Sequence, residues 1–248
     1  MIQIIPVPGL PEIQPGDDIA PLIAKGLRRR DFKVMPGDIF VVAQKIVSKA
    51  EGRIADLREI TPSSRATEWA AQWNKDARII ELVLRESKSI LRMERGIIVS
   101  ETRHGFICAN AGVDASNTAE NTAVLLPANP DRSARILQRK LQGIFAVSVG
   151  VIISDTFGRA WREGLVNVAL GVSGLPALID YRGQTDASGK TLNATVIACA
   201  DELAAAAELV MGKSDRVPVA IIRGFPQDTA PGTARDLIRP AERDLFRS

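Results

Sequence analysis

The chain has 248 residues, with 32 Lys and Arg against 29 Asp and Glu, a formal charge of +3, one His and two Cys. Hydrophobic residues make up 46% and charged residues 25%, an ordinary globular composition, long enough for one large domain or two small ones. His104, Cys108 and Cys199 cannot build a multi-histidine iron site, an HExxH zinc site or a four-cysteine cluster within one chain, so any metal is expected to be held mainly by oxygen.

Met1 to Val7 is apolar enough for a strand, and Pro8-Gly9-Leu10-Pro11 forces a loop after it. Asp17 or Asp18 can cap a short helix from Ile19 to about Leu27. Pro36-Gly37-Asp38 turns the chain into a buried strand, Ile39 to Ala43, which delivers Gln44, Lys45, Ser48 and Lys49 at its far end. From Ser64 to about Glu86, apolar residues including Trp69, Trp73, Ala77, Ile80 and Leu84 recur every three or four positions, predicting one amphipathic helix with the tryptophans as packing anchors. Gly96 to Glu101 and Gly105 to Ala109 read as two strands joined by a turn at Thr102-Arg103-His104.

Pro130 to Gln142 reads as a helix with Asn129 as its cap and Pro130 at the first position. Val147 to Ser154 is the strongest strand signal. Asn167 to Asp180 is rich in Gly, Val and Leu, and Tyr181 to Lys190 is a polar loop. A strand from Thr195 to Cys199 leads into an alanine-rich helix, Asp201 to Met211, followed by a Gly-Lys-Ser loop and a strand from Val217 to Ile222. The irregular order of strands and helices favours an α+β fold over a doubly wound sheet.

The first residues, MIQIIPVPGLPEIQPGDD, lack a basic segment before an apolar one and do not read as a signal peptide. Apolar runs such as Val149 to Ile153 fall far short of the ~20 residues that span a membrane. A cytoplasmic location is expected, with both cysteines as reduced core residues. The Arg28-Arg29-Arg30 cluster has no accompanying aromatic platform and reads as a solvated helix end rather than a nucleic-acid contact.

Two near-matches to a phosphate-binding loop fail: five residues separate Gly183 from Gly189-Lys190-Thr191 where four are required, and Gly212-Lys213-Ser214 lacks the upstream glycine. A Gly-Lys-Ser loop after a helix still offers N–H groups and a cation to phosphates. Asp114, in a glycine-containing loop, and Asp155 with Thr156, at the end of the strongest strand, either converge on a hard cation or simply cap turns. Arg159 and Arg162, beside Phe157 and Trp161, are candidates to clamp a carboxylate or phosphate, with solvated surface arginines as the competing reading. His104 is open between a general base and a structural role.

Six separated motifs resemble the coenzyme F420-0:L-glutamate ligase family. They are Gly9-Leu10-Pro11-Glu12-Ile13 with Gly16-Asp17-Asp18; Gln44 to Arg53; Ala109 to Asp114 with Ser116-Asn117; Ser154 to Arg159 with Trp161-Arg162; Met211-Gly212 before Pro218-Val219-Ala220; and Ala234 to Pro240. The resemblance implies the family's α+β arrangement, a mixed α/β two-lobed fold forming an intertwined homodimer, with residues 1–248 as one domain. Some bacterial relatives continue into a nitroreductase-like domain; this chain ends at Ser248, so that activity is expected to be absent.

The implied reaction joins L-glutamate to the lactyl carboxylate of F420-0, with further γ-linked glutamates in some members, consuming GTP through an acyl phosphate and releasing GDP and phosphate. Carried over by motif, Leu10, Pro11, Glu12, Ile13, Gln44, Lys45, Lys49 and Asn117, with Met211, Gly212, Lys213 and Ser214 in the later loop, would contact GTP. Asp114 and Asp155 would hold one Mg2+ or Mn2+ and Thr156 a second, with K+ as a further candidate ion. Asp155, Arg159 and Arg162 are the expected catalytic residues. One departure is visible: the resemblance implies an acidic or amide residue near position 213, and this chain has Lys213. No nucleic acid or membrane is expected as a partner. The alternatives are an amide ligase of the same fold acting on another phosphorylated carboxylate, and a nucleotide-binding regulator without turnover.

Overall fold

The computed structural model describes residues 1–116, 119–226 and 230–244. After β1 (Gln3–Pro6), α1 (Ile19–Arg28) starts at Asp18, whose carboxylate accepts from the Ala20 N–H at 3.3 Å. β2 (Asp38–Ala43) passes directly into α2 (Gln44–Ala50), so the polar residues expected beyond the strand form a short helix, and the Ser48 hydroxyl donates to Gln44 Oε1 at 2.8 Å.

β3 (Ile54–Asp56) precedes two helices where the periodicity predicts one, α3 (Ser64–Trp73) and α4 (Ala77–Glu86). Asn74 takes the left-handed conformation at φ 51°, and the Asp76 carboxylate caps α4 by accepting from the Arg78 N–H at 2.9 Å. The apolar spacing runs through this break because both helices pack on one cluster containing Trp69, Ile80 and Val83.

β4 (Ser87–Glu94), β5 (Ile97–Thr102) and β6 (Ile107–Ala109) make a three-stranded antiparallel sheet, with the predicted turn between its last two strands. β4, largely exposed and polar, has no place in the sequence reading because it lacks a buried face to set a period-two pattern. β7 (Thr122–Val124) pairs with β3. α5 (Pro130–Phe145) is capped by Asn129 as predicted and runs on to a left-handed Ala146.

β8 (Val149–Arg159) and β9 (Arg162–Ser173) form a long hairpin. The strand expected to end at Ser154 therefore continues through Asp155 and Thr156, stabilised by pairing with a partner strand that the Gly-rich sequence disguised. β10 (Ile179–Asp180) and β11 (Val196–Ile197) form a small ribbon, α6 (Cys199–Met211) begins two residues before its predicted start, and β12 (Val219–Arg223) follows.

The main sheet has the order β1-β12-β2-β8-β9, antiparallel except for the β2–β8 pair. Its strands alternate strictly: Phe40, Val42, Val151 and Ile153 pack under α1 and α5, whereas Ile39, Val41 and Ile152 pack under α6. Burial on both faces explains why β2 and β8 read as continuous apolar runs. This mixed architecture, with several sheets and one parallel pair, agrees with the expected α+β class.

Polar anchors fix the layers. Arg223 donates to both carboxylate oxygens of the buried Asp38 at 2.8 and 2.7 Å, joining the start of β2 to the end of β12. Asp131 at the first turn of α5 accepts from the Val172 N–H at 2.9 Å, and Gln138 donates to the Val149 carbonyl at 2.9 Å. Among the described residues, no helix is long and apolar enough to cross a membrane.

Candidate functional site

The pairing of β2 with β8 ends at Ala43–Ser154, where β2 turns into α2. Immediately before this point, the β8–β9 register shifts: Ile153 opposes Gly171 but Ser154 opposes Ala169, leaving Leu170 as the extra residue of a bulge. The freed Ala169 N–H donates to Asp201 Oδ1 on α6 at 2.8 Å. Bulges re-aim the side chains that follow them, and here those side chains are Asp155 and Thr156.

Asp155 is partly buried, and the loss of solvent pushes its carboxyl pKa up to about 6. The Thr156 backbone N–H opposes that rise, nearby Asp114 adds to it, and Lys213 and Lys45 oppose it. Asp155 and Asp114, from separate segments, thus lie within electrostatic reach of each other and of the Lys213 and Lys45 ammonium groups. Asp114 is the more stably ionised. Burial works against its charge, but hydrogen bonds from Lys45 and Ser116 outweigh it and hold the carboxyl below its usual range.

Lys45 Nζ lies 2.7 Å from Asp114 Oδ2 and donates to the Ser116 carbonyl at 2.9 Å, while the Ser116 N–H donates to Asp114 Oδ1 at 2.6 Å. The Asp114 loop is further set by an isolated bridge to Val124 and by Ala111 in the left-handed region at φ 50°. Asn117 lies outside the described residues.

The same α2 helix gathers the first predicted motif. Lys49 pairs with Glu12, and the Gly16 N–H donates to the Ala50 carbonyl at 2.9 Å, so the Leu10–Ile13 loop runs along α2. Leu10 and Ile13 are packed inward, the latter buried, while Glu12 is exposed. Gln44, Lys45, Lys49, Glu12 and Asp114 are therefore brought together around one short helix.

On the α6 side, Thr156 opposes Asn167 across the hairpin, and its hydroxyl donates to Asn167 Oδ1 at 2.7 Å. Asn167 Nδ2 donates to Glu208 Oε2 at 2.8 Å. Lys213, just beyond α6, donates to Thr156 Oγ1 at 2.6 Å and lies 2.9 Å from Glu208 Oε1. Met211 is buried under the sheet, and the Ser214 hydroxyl donates to Asp215 at 3.2 Å. The Gly-Lys-Ser loop thus reaches the Asp155–Thr156 strand through Lys213. Asn167 and Glu208 carry no local signal in the sequence; the hairpin register that sets Asn167 opposite Thr156 and the docking of α6 bring them here.

Arg159 and Arg162 stand apart from this cluster, at the hairpin tip. Arg159 donates to the backbone carbonyls of Glu163 and Gly164, and both arginines are exposed. His104 Nε2 lies 2.9 Å from the Pro127 carbonyl, which gives it a structural partner. Cys108 and Cys199 are free and buried, as expected; burial, with Asp155 adding to it, pushes the Cys108 thiol up to about 12, which leaves it unreactive.

Asp114, Asp155 and Thr156 are the donors that the implied divalent ions would meet. Among the described residues no three His, Cys, Asp or Glu side chains form a metal cluster. Mg2+ and Mn2+ at nucleotide sites are commonly held by one or two carboxylates together with phosphates and water, and Asp114 with Asp155 suits that pattern. Among the described residues no side chain hydrogen-bonds Asp155, and its charge is met by the Thr156 N–H and by the fields of Lys213 and Lys45. One hard cation fits there. At Thr156 the case differs: the Lys213 ammonium sits among the oxygens of Thr156, Glu208 and Asn167, whereas the Lys45 ammonium engages Asp114 and makes no hydrogen bond to Asp155.

The chain matches the model of the F420-0:Gamma-glutamyl ligase family over residues 9–224. A protein named coenzyme F420:L-glutamate ligase from Methanothermobacter thermautotrophicus is 49% identical, with 99% of each chain covered. Proteins of the same name from Methanopyrus kandleri and Archaeoglobus fulgidus are 46% and 41% identical, covering 99% of this chain and 98% and 96% of theirs.

Proposed function

This chain belongs to the F420-0:gamma-glutamyl ligase family, and from that premise we propose that it is an enzyme joining L-glutamate to the lactyl carboxylate of F420-0, with GTP as the activating co-substrate. The observation that carries the reading is the meeting of Asp114 and Asp155 with Lys45 and Lys213 at the end of β2, beside Lys49. Alternating carboxylates and ammonium groups of this kind suit a polyphosphate with its cation, and no covalent nucleophile is required.

A carboxylate is a poor acyl donor. The γ-phosphoryl group of GTP would pass to the substrate carboxylate, breaking its bond to the β-phosphate oxygen and giving an acyl phosphate and GDP. The glutamate amine would then attack the acyl carbon; a C–N bond forms, the C–O bond to phosphate breaks, and the amine loses a proton. Lys45 and Lys49 would bind the nucleotide's oxygens, and Asp114 and Asp155 would hold the divalent ion. That ion supplies charge neutralisation during phosphoryl transfer. Arg159 and Arg162 at the hairpin tip would position the anionic deazaflavin substrate.

The family resemblance extends the reading to a two-lobed subunit in an intertwined homodimer acting in the cytoplasm. Trp161 and Leu165, large apolar side chains exposed at the β8–β9 tip, are surface that a second copy would cover. The reading is tested by measuring GDP and phosphate release while omitting F420-0, L-glutamate or Mn2+ in turn. Release that needs all three supports it. GTP binding without release in the complete mixture overturns it in favour of a regulator.

A further inference from the structure

Lys213 is the second cationic group at the Asp155 strand, and its surroundings are those of a bound ion. Its ammonium has three N–H donors and faces three oxygens: Thr156 Oγ1 at 2.6 Å, Glu208 Oε1 at 2.9 Å and, more distantly, Asn167 Oδ1 at 3.5 Å. These oxygens are held in place by one another. The Thr156 hydroxyl gives its proton to Asn167 Oδ1, which turns a lone pair towards Lys213, and the Asn167 amide group is fixed in orientation by its second bond, to Glu208 Oε2. Asn167 is itself buried.

Three elements contribute: Thr156 comes from β8, Asn167 from β9 and Glu208 from α6. Gly212, at φ 60°, turns the chain at the end of α6 so that the next residue can reach back to them. A carboxylate, an amide carbonyl and a hydroxyl converging on one point are ligands suited to a hard cation. Here the charge at that point is covalently attached to the chain.

We propose that the Lys213 ammonium is the resident cation of the Thr156–Asn167–Glu208 cluster, so that this enzyme works with a single divalent ion, at Asp114 and Asp155, instead of the two that the family resemblance implies. The inference rests on the cation reading of Asp114 and Asp155 only for that ion; the filled cluster stands on its own geometry. Its functional consequence is that part of the positive charge facing the transferring phosphoryl group is built into the protein and needs no ion from solution.

The test is the stoichiometry of Mn2+ bound to the full chain, counted by electron paramagnetic resonance in titrations of the wild type, Lys213→Gln and Lys213→Arg. Glutamine removes the charge and leaves a carbonyl donor in its place, at a largely exposed position. The expected result is one Mn2+ per chain for the wild type and for Lys213→Arg, and two for Lys213→Gln. The inference is overturned if the wild type binds two Mn2+, if Lys213→Gln binds no more than the wild type, or if Lys213→Arg also gains a site. A separate arm, Asp155→Asn, reports on the other ion: unchanged binding there removes Asp155 from the cation site, whether or not Lys213→Gln gains one.

Discussion

Lys45 Nζ sits 2.7 Å from Asp114 Oδ2 and ties that carboxylate to the first turn of α2. Two roles are combined in this contact: the ammonium steadies the Asp114 loop, and it offsets part of the negative charge that the divalent ion would meet there. Lys45→Met should therefore act in opposite directions on two ligands. Mn2+ alone should bind more tightly, because a like charge is removed, while GTP affinity should fall about tenfold or more with the loss of a charge-assisted contact. Calorimetric titration of each ligand checks this; parallel changes in both would contradict it.

Asp155→Ala should abolish Mn2+-dependent turnover and leave the fold intact, since its carboxylate has no side-chain hydrogen bond among the described residues. Circular dichroism and GDP release measured together separate loss of chemistry from loss of structure. Normal turnover would remove Asp155 from the mechanism.

The raised pKa of Asp155 makes stability depend on pH in a definite direction. Folded, the carboxyl binds its proton up to about pH 6; unfolded, only to about its ordinary value of 3.8. Its contribution is therefore complete below that lower value and is lost as pH rises through 6. Asp201, also raised by burial, adds in the same sense. Glu81, held down to about 2 by hydrogen bonds from Ser63 and Arg85, acts oppositely but only below its ordinary 4.5. Metal-free protein should lose melting temperature between about pH 4.5 and 6.5, and Asp155→Asn should flatten that slope. The stabilisation conferred by Mn2+ should grow over the same interval as the carboxylate ionises. A metal-free slope unchanged by Asp155→Asn would contradict the assignment.

Packing at the β9–α5 contact admits no side chain at Gly171, where an added Cβ would lie 2.3 Å from the Pro130 carbonyl oxygen. Gly171→Ala should cost about 2–3 kcal/mol, a fall in melting temperature of roughly 4–10 °C for a chain of this size. Gly158→Ala is the control, because the nearest atom to its added Cβ is Leu165 Cδ2 at 4.0 Å. Equal melting temperatures for the two variants would contradict the contact.

Arg162→Ala should raise KM for F420-0 and leave KM for GTP and the melting temperature unchanged, because this arginine is exposed at the hairpin tip, away from the Asp114–Asp155 pair. A matching rise in KM for GTP would place Arg162 with the nucleotide instead.

The sequence made the strongly apolar elements legible. β2, α5 and β8 are legible because continuous apolar runs, an Asn-Pro cap and β-branched residues are local signals. Elements lacking such signals are not. The α3–α4 break is carried by capping at Asn74 and Asp76 under an uninterrupted apolar period, and β4 is a polar edge strand. At the site, Asp114, Asp155, Lys45 and Lys49 could be picked out as motif residues, but Asn167 and Glu208 could not, since their part depends on the β8–β9 register and the docking of α6. Lys213 was visible as a departure from the family pattern; that its ammonium fills the Thr156 cluster required the distances.

The decisive measurement is mass spectrometry of the deazaflavin after incubation with F420-0, L-glutamate, GTP and Mn2+. The expected product is heavier than F420-0 by at least one glutamyl residue and forms only when GTP is present. Unaltered F420-0 in the complete mixture, with the protein folded and GTP bound, would contradict it.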